Sequence, residues 1–299
     1  VQKTNWDDVI LDAKMKKTLT GTVLRFFDSA SKYREFGVPW KRGLIFHGPP
    51  GNGKTISLKA LMHSLFQRED ERRVVPLYVK SIEYYWELRQ VFQVARQQAP
   101  CLLILEDVDT LVTEKLRSYF FNELDGLENN DGIMIIATTN HLDKLDPGLA
   151  KRPSRFDRKY KFPLPSTEER TMYCDFWRRK LKGNQNVVFP KELCPRIAEI
   201  TGGFSFAYMK EAFVATLLAI ARREDDEELD EEFEEVGEIQ EGREVEEVRE
   251  RARNQDDDDI EEVREHPGDK DDDDIEDLAL WKEMKRQVRI LRKDMDSTS

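Results

Sequence analysis

Cysteine and histidine are scarce. Three cysteines (Cys101, Cys174, Cys194) and four histidines (His47, His63, His141, His266) are scattered through 299 residues without metal-like or disulfide-like spacing. This argues against a zinc scaffold or a disulfide framework. The odd cysteine count points to a reducing, intracellular compartment, cytoplasm or nucleus rather than mitochondrion. No apolar run approaches the ~20 residues that span a bilayer, and no secretory leader is visible. Basic residues interleaved with aromatics, as in nucleic-acid recognition motifs, are missing too. Neither a membrane nor a nucleic acid has support as a partner in this segment.

Charge is abundant and unevenly placed. Residues 224–277 hold 30 acidic and 6 basic side chains, a net of −24, whereas the whole chain is −12. The remainder therefore carries about +12: a basic body joined to an acidic low-complexity segment that lacks the apolar surface to offset ordering entropy. This segment is expected to be disordered, acting as a solubilising linker or, alternatively, folding against the basic body to limit assembly.

Before that segment, short apolar strands alternate with helices. "RGLIFHG", "VVPLYV", "CLLIL", "IMIIATTN" and "RKYKFPLP" read as strands. Between them run "ISLKALMHSLF", with Ile56, Leu61, Met62, Leu65 and Phe66 at helical period, "YYWELRQVFQVARQQ", with Leu88, Val91, Phe92 and Ala95 inward, and "KLRSYFFNELDGL". "KMKKTLTGTVLRFFDSASKYREF" reads as one leading helix. Alternation of this kind predicts an α/β fold, an αβα sandwich with a central parallel sheet. From residue 166 the strands stop. The expected organisation is a nucleotide-binding domain over 1–165, a small all-helical lid over 166–223, the acidic insert over 224–277, and an amphipathic helix over 278–299. That helix has Leu280, Met284, Val288 and Leu291 on one face, and is expected to pack on the lid.

Gly48-Pro49-Pro50-Gly51-Asn52-Gly53-Lys54-Thr55 matches G-x-x-x-x-G-K-[ST], with a strand leading in and a helix leading out. Glycines let the backbone N–H groups curl around phosphate oxygens, and the following helix offers its positive end to the same anion. Lys54 is placed for the β/γ-phosphates of ATP and the Thr55 hydroxyl for Mg²⁺. "LLILEDVD" ends an apolar strand in Glu106 and Asp107. Consecutive strand residues point to opposite sides, so the two carboxylates are expected to do different jobs. Glu106 would support Mg²⁺ through its water shell, and Asp107 would orient or activate the attacking water. "IIATTN" places Thr138, Thr139 and Asn140 at the end of another strand, where Asn140 could reach the γ-phosphate or the water. Arg152 and Arg155 in "KRPSRFDRK" are candidates for arginine fingers, which neutralise transition-state charge in a neighbouring site.

Together and in this order, these residues resemble the AAA family of ATPases over about residues 5–223. "GPPGNGKT" looks like its Walker A motif, "LLILEDVD" its Walker B, and "ATTN....LDPGLAKRPSRFDR" its second region of homology, with Asn140 as sensor and Arg152 and Arg155 as paired fingers. The resemblance implies a homo-oligomer, usually a hexameric ring, acting on a protein client. It also implies that "WDDVIL" puts Asp8 and Val9 beside adenine. Four features depart from the family pattern. The carboxylates run Glu-Asp instead of Asp-Glu. The aromatic–apolar–glycine pore loop is missing, with Tyr84, Tyr85 and Trp86 nearby. "RPS" replaces "RPG". Phe206 stands where glycine is common, and would crowd the nucleotide-facing lid helix. "WKRGLIFHGPPGNGKT" and the Glu-Asp order look closest to the branch containing the mitochondrial chaperone that inserts the Rieske protein. The expected function is ATP hydrolysis coupled to protein remodelling. The alternatives are a non-hydrolysing nucleotide-dependent assembly module and a nucleic-acid remodeller.

Overall fold

The computed structural model describes residues 4–68, 74–125, 128–222 and 272–297. The body of the acidic insert, 224–271, lies outside the described residues.

Five parallel strands form one sheet: β1 (Arg42–His47), β2 (Val75–Val79), β3 (Cys101–Leu105), β4 (Ile133–Thr139) and β5 (Arg158–Lys161), in the order β2-β3-β4-β1-β5. The inner strands are apolar on both faces because helices cover both. Alternation sorts their side chains. Leu44, Phe46, Leu102, Ile104, Met134 and Ile136 pack with Leu19, Val23 and Phe26 of α1 (Ala13–Phe27) and Leu58, Leu61 and Leu65 of α3 (Lys54–Phe66). Ile45, Leu103, Leu105, Ile133, Ile135 and Ala137 pack with Leu88, Phe92 and Ala95 of α4 (Tyr85–Gln97) and Leu116, Phe120 and Leu124 of α6 (Glu114–Asp125). Truncating a large side chain in either cluster, Phe92→Ala for instance, costs about 3–5 kcal/mol.

Two expectations change. The leading helix is broken: α1 ends at Phe27 and α2 spans Ala30–Glu35, with Asp28 as the C-cap of α1. The polar side chains of Asp28 and Ser29 are of the type that competes for backbone groups and weakens helix interiors. In α3, Ile56 and Phe66 are exposed, and Leu58 takes an inward position.

The chain divides into two compact units. The first comprises 1–173 together with 202–208; the second, 174–201 together with 209–299. The division falls inside α8 (Thr167–Lys180), and the loop at 202–208 belongs to the first unit. In the second unit, Trp177 of α8 stacks on Phe213 in the later part of α10 (206–222), ring centroids 5.1 Å apart, and α9 (Leu193–Ile200) buries Leu193, Cys194, Ile197 and Ala198. Helical structure resumes at α11 (Asp272–Asp277), inside the stretch read as low-complexity, and continues as α12 (Ala279–Ser297). Leu280, Trp281, Met284 and Val288 of α12 are buried, and Arg292 donates to the Ile200 carbonyl at 2.7 Å. Glu276 ties α11 to both neighbours, accepting from Lys285 at 2.6 Å and Arg196 at 3.2 Å.

Candidate functional site

The site forms where β1, β3 and β4 end. After His47 the chain turns through Gly48 (φ +140°) and Gly51 (φ +77°), both in backbone regions that L side chains rarely adopt. A Cβ on Gly48 would lie 2.1 Å from the Phe162 carbonyl oxygen, and one on Gly51 2.6 Å from the Cβ of Ala207. The loop is therefore pressed between the end of β5 and the segment at 205–207. Ala207 N donates to Gly51 O at 3.2 Å. Phe206 turns its ring onto Tyr173, centroids 5.3 Å apart, which leaves the contact with the loop to Ser205 and Ala207.

Lys54 opens α3 and is 7 % exposed, with Nζ donating to the carbonyls of Gly48 (2.6 Å) and Pro49 (3.0 Å). Burial lowers its pKa, against the opposing pull of Asp107, Asp109 and Glu106. Asn52 is 2 % exposed, and neither atom of its amide has a hydrogen-bond partner among the described residues. A buried amide left this way is costly unless a ligand satisfies it. A glycine loop, a helix N-terminus, a buried lysine and an orphaned amide make a donor set suited to a nucleotide's phosphates. Thr55 and Glu106 supply oxygens of the kind a Mg²⁺ ion and its water shell accept.

The two carboxylates diverge. Glu106 shares a face with Ile104, toward α3, and its Oε1 accepts from the Thr55 hydroxyl at 2.8 Å. On neighbouring β2, Tyr78 pairs in register with Ile104, which brings its phenol to Oε2 of the same Glu106. Burial and that contact push the Tyr78 pKa up to about 12. Asp107 points elsewhere. It caps α5 (Val108–Leu111) with a left-handed backbone (φ +47°, ψ +55°), the lone non-glycine residue at positive φ among those described. Its N–H donates to Thr138 Oγ1 at 2.9 Å, and its Oδ1 lies 3.5 Å from Asn140 Nδ2, the outer limit of a hydrogen bond. Its carboxyl is open to solvent on one side, yet partial burial, then Asp109 and Glu106, raise its pKa above the usual carboxylate range.

Arg152 and Arg155 differ. The Arg155 side chain is 5 % exposed and grips Asp125 through Nε (3.1 Å) and a terminal nitrogen (2.7 Å). It also donates to the Gly148 carbonyl at 2.8 Å and covers the Phe121 ring at 3.8 Å. This contact holds the Asp125 carboxyl below its ordinary pKa. Arg152 touches the same Asp125 at 3.3 Å from a side chain 56 % exposed. Asp8 and Val9 stand at the end of a 3₁₀ turn, where Asp8 accepts from Asn5 N at 2.9 Å and Val9 is buried. Trp6 ties that turn to Ser64 of α3 at 3.1 Å.

Sequence reasoning missed Tyr78, Asp109 and the holding role of Thr138. For Tyr78 the one available signal was a hydroxyl-bearing aromatic near the end of an edge strand.

Residues 44–164 match the family model described as ATPase family associated with various cellular activities (AAA). A Dictyostelium discoideum protein named as a ribosome biogenesis ATPase, nvl, is 31% identical over 203 residues, which cover 62% of this chain and 23% of that one. The proteasome-activating nucleotidase of Aeropyrum pernix is 32% identical over 198 residues, 61% of this chain and 46% of its own. For the 26S proteasome regulatory subunit 6A of Saccharomyces cerevisiae the figures are 27% over 220 residues, 68% and 49%. The chain spans half or less of the length of these relatives. The α/β unit carries this similarity on a five-stranded parallel sheet with a P-loop at its strand ends, and a helical region follows it.

Proposed function

We propose that the protein binds ATP at Gly48–Thr55, hydrolyses it, and couples turnover to remodelling of a protein client within a ring of identical subunits. The observation that carries this reading is the divergence of Glu106 and Asp107. Two carboxylates on one side of the site could serve one purpose; here one turns to Thr55 and the other toward Asn140.

Bound Mg²⁺ would supply charge neutralisation at the β- and γ-phosphates, with Thr55 and Glu106 as its protein partners. Lys54 and the loop N–H groups hold and orient the phosphates. Asn140 and Asp107 position a water in line with the γ-phosphorus, and Asp107 accepts its proton. The raised pKa of Asp107 improves it as a base over an ordinary aspartate. Arg152, partly free and exposed, suits contact with a neighbouring subunit's nucleotide; Arg155 suits holding the loop that presents it. Asp8 and Val9, beside α3, are proposed to meet adenine.

The proteasomal relatives support a protein client and a ring. The Glu-Asp order and the "WKRGLIFHGPPGNGKT" segment support a place near the branch of the Rieske-inserting chaperone. The odd number of cysteines, all three buried, supports a reducing compartment.

ATP affinity and steady-state turnover of Asp107→Asn and Glu106→Gln test the assignment. Asp107→Asn is expected to bind ATP normally and lose about 10²–10⁴-fold in kcat. Glu106→Gln should weaken the Mg²⁺-dependent part of both binding and turnover. Normal hydrolysis by Asp107→Asn with loss in Glu106→Gln would reverse the roles. Turnover in the unmutated chain no faster than in Lys54→Ala would favour the non-hydrolysing reading.

A further inference from the structure

We propose that the polar cleft at the opposite end of β1 from the phosphate loop is a second anion site, taking a small phosphate-bearing ligand. Thr22, Arg25, Phe26 and Ser29 of α1 and the turn after it, Tyr33 of α2, Arg42 of β1 and Arg158 of β5 line a cleft of about 250 Å³. Its lining is mostly polar, with three arginines among seven residues.

The convergence follows from the register. Arg42 and Leu44 share a face of β1, and Leu44 pairs with Arg158 of β5. Leu44 packs in the α1 cluster, so both arginines stand on the side of the sheet that α1 covers. Arg25 reaches the same place from α1, where its guanidinium lies over Gly21. A Cβ on Gly21 would sit 3.0 Å from a terminal nitrogen of Arg25. Glycine weakens a helix interior relative to alanine, and here that position makes room for a guanidinium.

The charge is incompletely matched. Arg42 pairs with Asp157 through Nε at 2.8 Å and a terminal nitrogen at 2.5 Å. No described carboxylate pairs with Arg25 or Arg158. Three guanidinium groups against one carboxylate leave a formal excess of +2 at one cleft, with hydroxyls of Ser29 and Tyr33 beside it. Planar guanidinium forks match phosphate oxygens two at a time. β1 separates this cleft from the phosphate loop by roughly 20 Å at ~3.3 Å per residue, too far for one nucleotide's phosphates to serve both.

The test is calorimetric titration of inorganic pyrophosphate into the full chain carrying Lys54→Ala, which disables the phosphate loop. Saturable binding that weakens with added salt is expected. Adding Arg25→Gln and Arg158→Gln to that chain should weaken it at least about tenfold. The two arginine changes alone should leave the thermal unfolding midpoint and ATP affinity unchanged. Absence of saturable binding in Lys54→Ala, or equal binding with and without the two arginines, overturns the site. Vesicles of phosphatidylcholine with and without phosphatidylinositol bisphosphate separate the sources of phosphate. Arginine-dependent sedimentation with the bisphosphate vesicles assigns a lipid headgroup, and pyrophosphate binding without sedimentation assigns a soluble ligand.

Discussion

The strand ends around the phosphate loop and the arginine loop after α7 (Pro147–Ala150) contain similar residue types in opposite states. At the strand ends, polar groups are left wanting: the Asn52 amide and one Asp109 oxygen are buried without partners among the described residues, and Asp107 holds a left-handed backbone. Around Arg155, donors meet matched acceptors, in Asp125 and the Gly148 carbonyl. Satisfied networks fix a fold, whereas unsatisfied ones mark where a ligand or a reacting group completes the set. By that measure the two arginines of one motif belong to different categories, although sequence treats them alike.

Separating them gives the largest expected effects. Arg155→Ala should cost about 1–3 kcal/mol by chemical denaturation, because it removes a buried guanidinium's charge-assisted hydrogen bonds to Asp125 and its bond to the Gly148 carbonyl. That stability should also fall as pH drops through the folded pKa of Asp125, which lies below the ordinary range. Arg152→Ala should change stability by less than about 0.5 kcal/mol. In the proposed ring, however, it should slow ATP turnover by about 10³-fold. Matching stability losses for both variants would erase the distinction.

Tyr78→Phe sharpens the other half of the comparison. Removing the phenol frees Glu106 on its β2 side, and a loss of about tenfold in kcat/KM is expected, most visible at limiting Mg²⁺. A rate unchanged at every Mg²⁺ concentration would make the contact incidental. The smallest effect concerns pH. Asp107 must be ionised to accept a proton, and its raised pKa places the acid limb of kcat above that of an ordinary aspartate. Asp109→Asn removes one like charge, so the limb should move to lower pH. An unmoved limb would show that Asp109 does not act on Asp107.

Much of this was legible beforehand, for identifiable reasons. The parallel sheet and its two covered faces follow from apolar runs between helical periods. The phosphate loop follows from glycines whose φ values and neighbours tolerate no Cβ. Other features depend on contacts distant in sequence. Tyr78 reaches Glu106 through pairing of β2 with β3, and Arg155 is buried through Asp125, which no local pattern announces. Ile56 and Phe66 match the helical period of α3 yet face outward, because period alone does not say how wide a stripe the sheet covers. The break at Asp28 hides inside an otherwise continuous pattern, and the acidic insert's expected disorder lies outside the described residues.

The left-handed backbone at Asp107 also bears on how this chain can evolve. Few side chains visit that conformation readily: glycine, asparagine and aspartate. Lengthening the residue to glutamate, whose side chain is less able to hydrogen-bond the local backbone, carries a backbone penalty of up to about 1–2 kcal/mol. Asparagine carries almost none. On the proposed roles, a folded, nucleotide-holding but idle descendant is one inexpensive substitution away, and conversion to an Asp-Glu order demands reshaping the turn as well as exchanging two side chains.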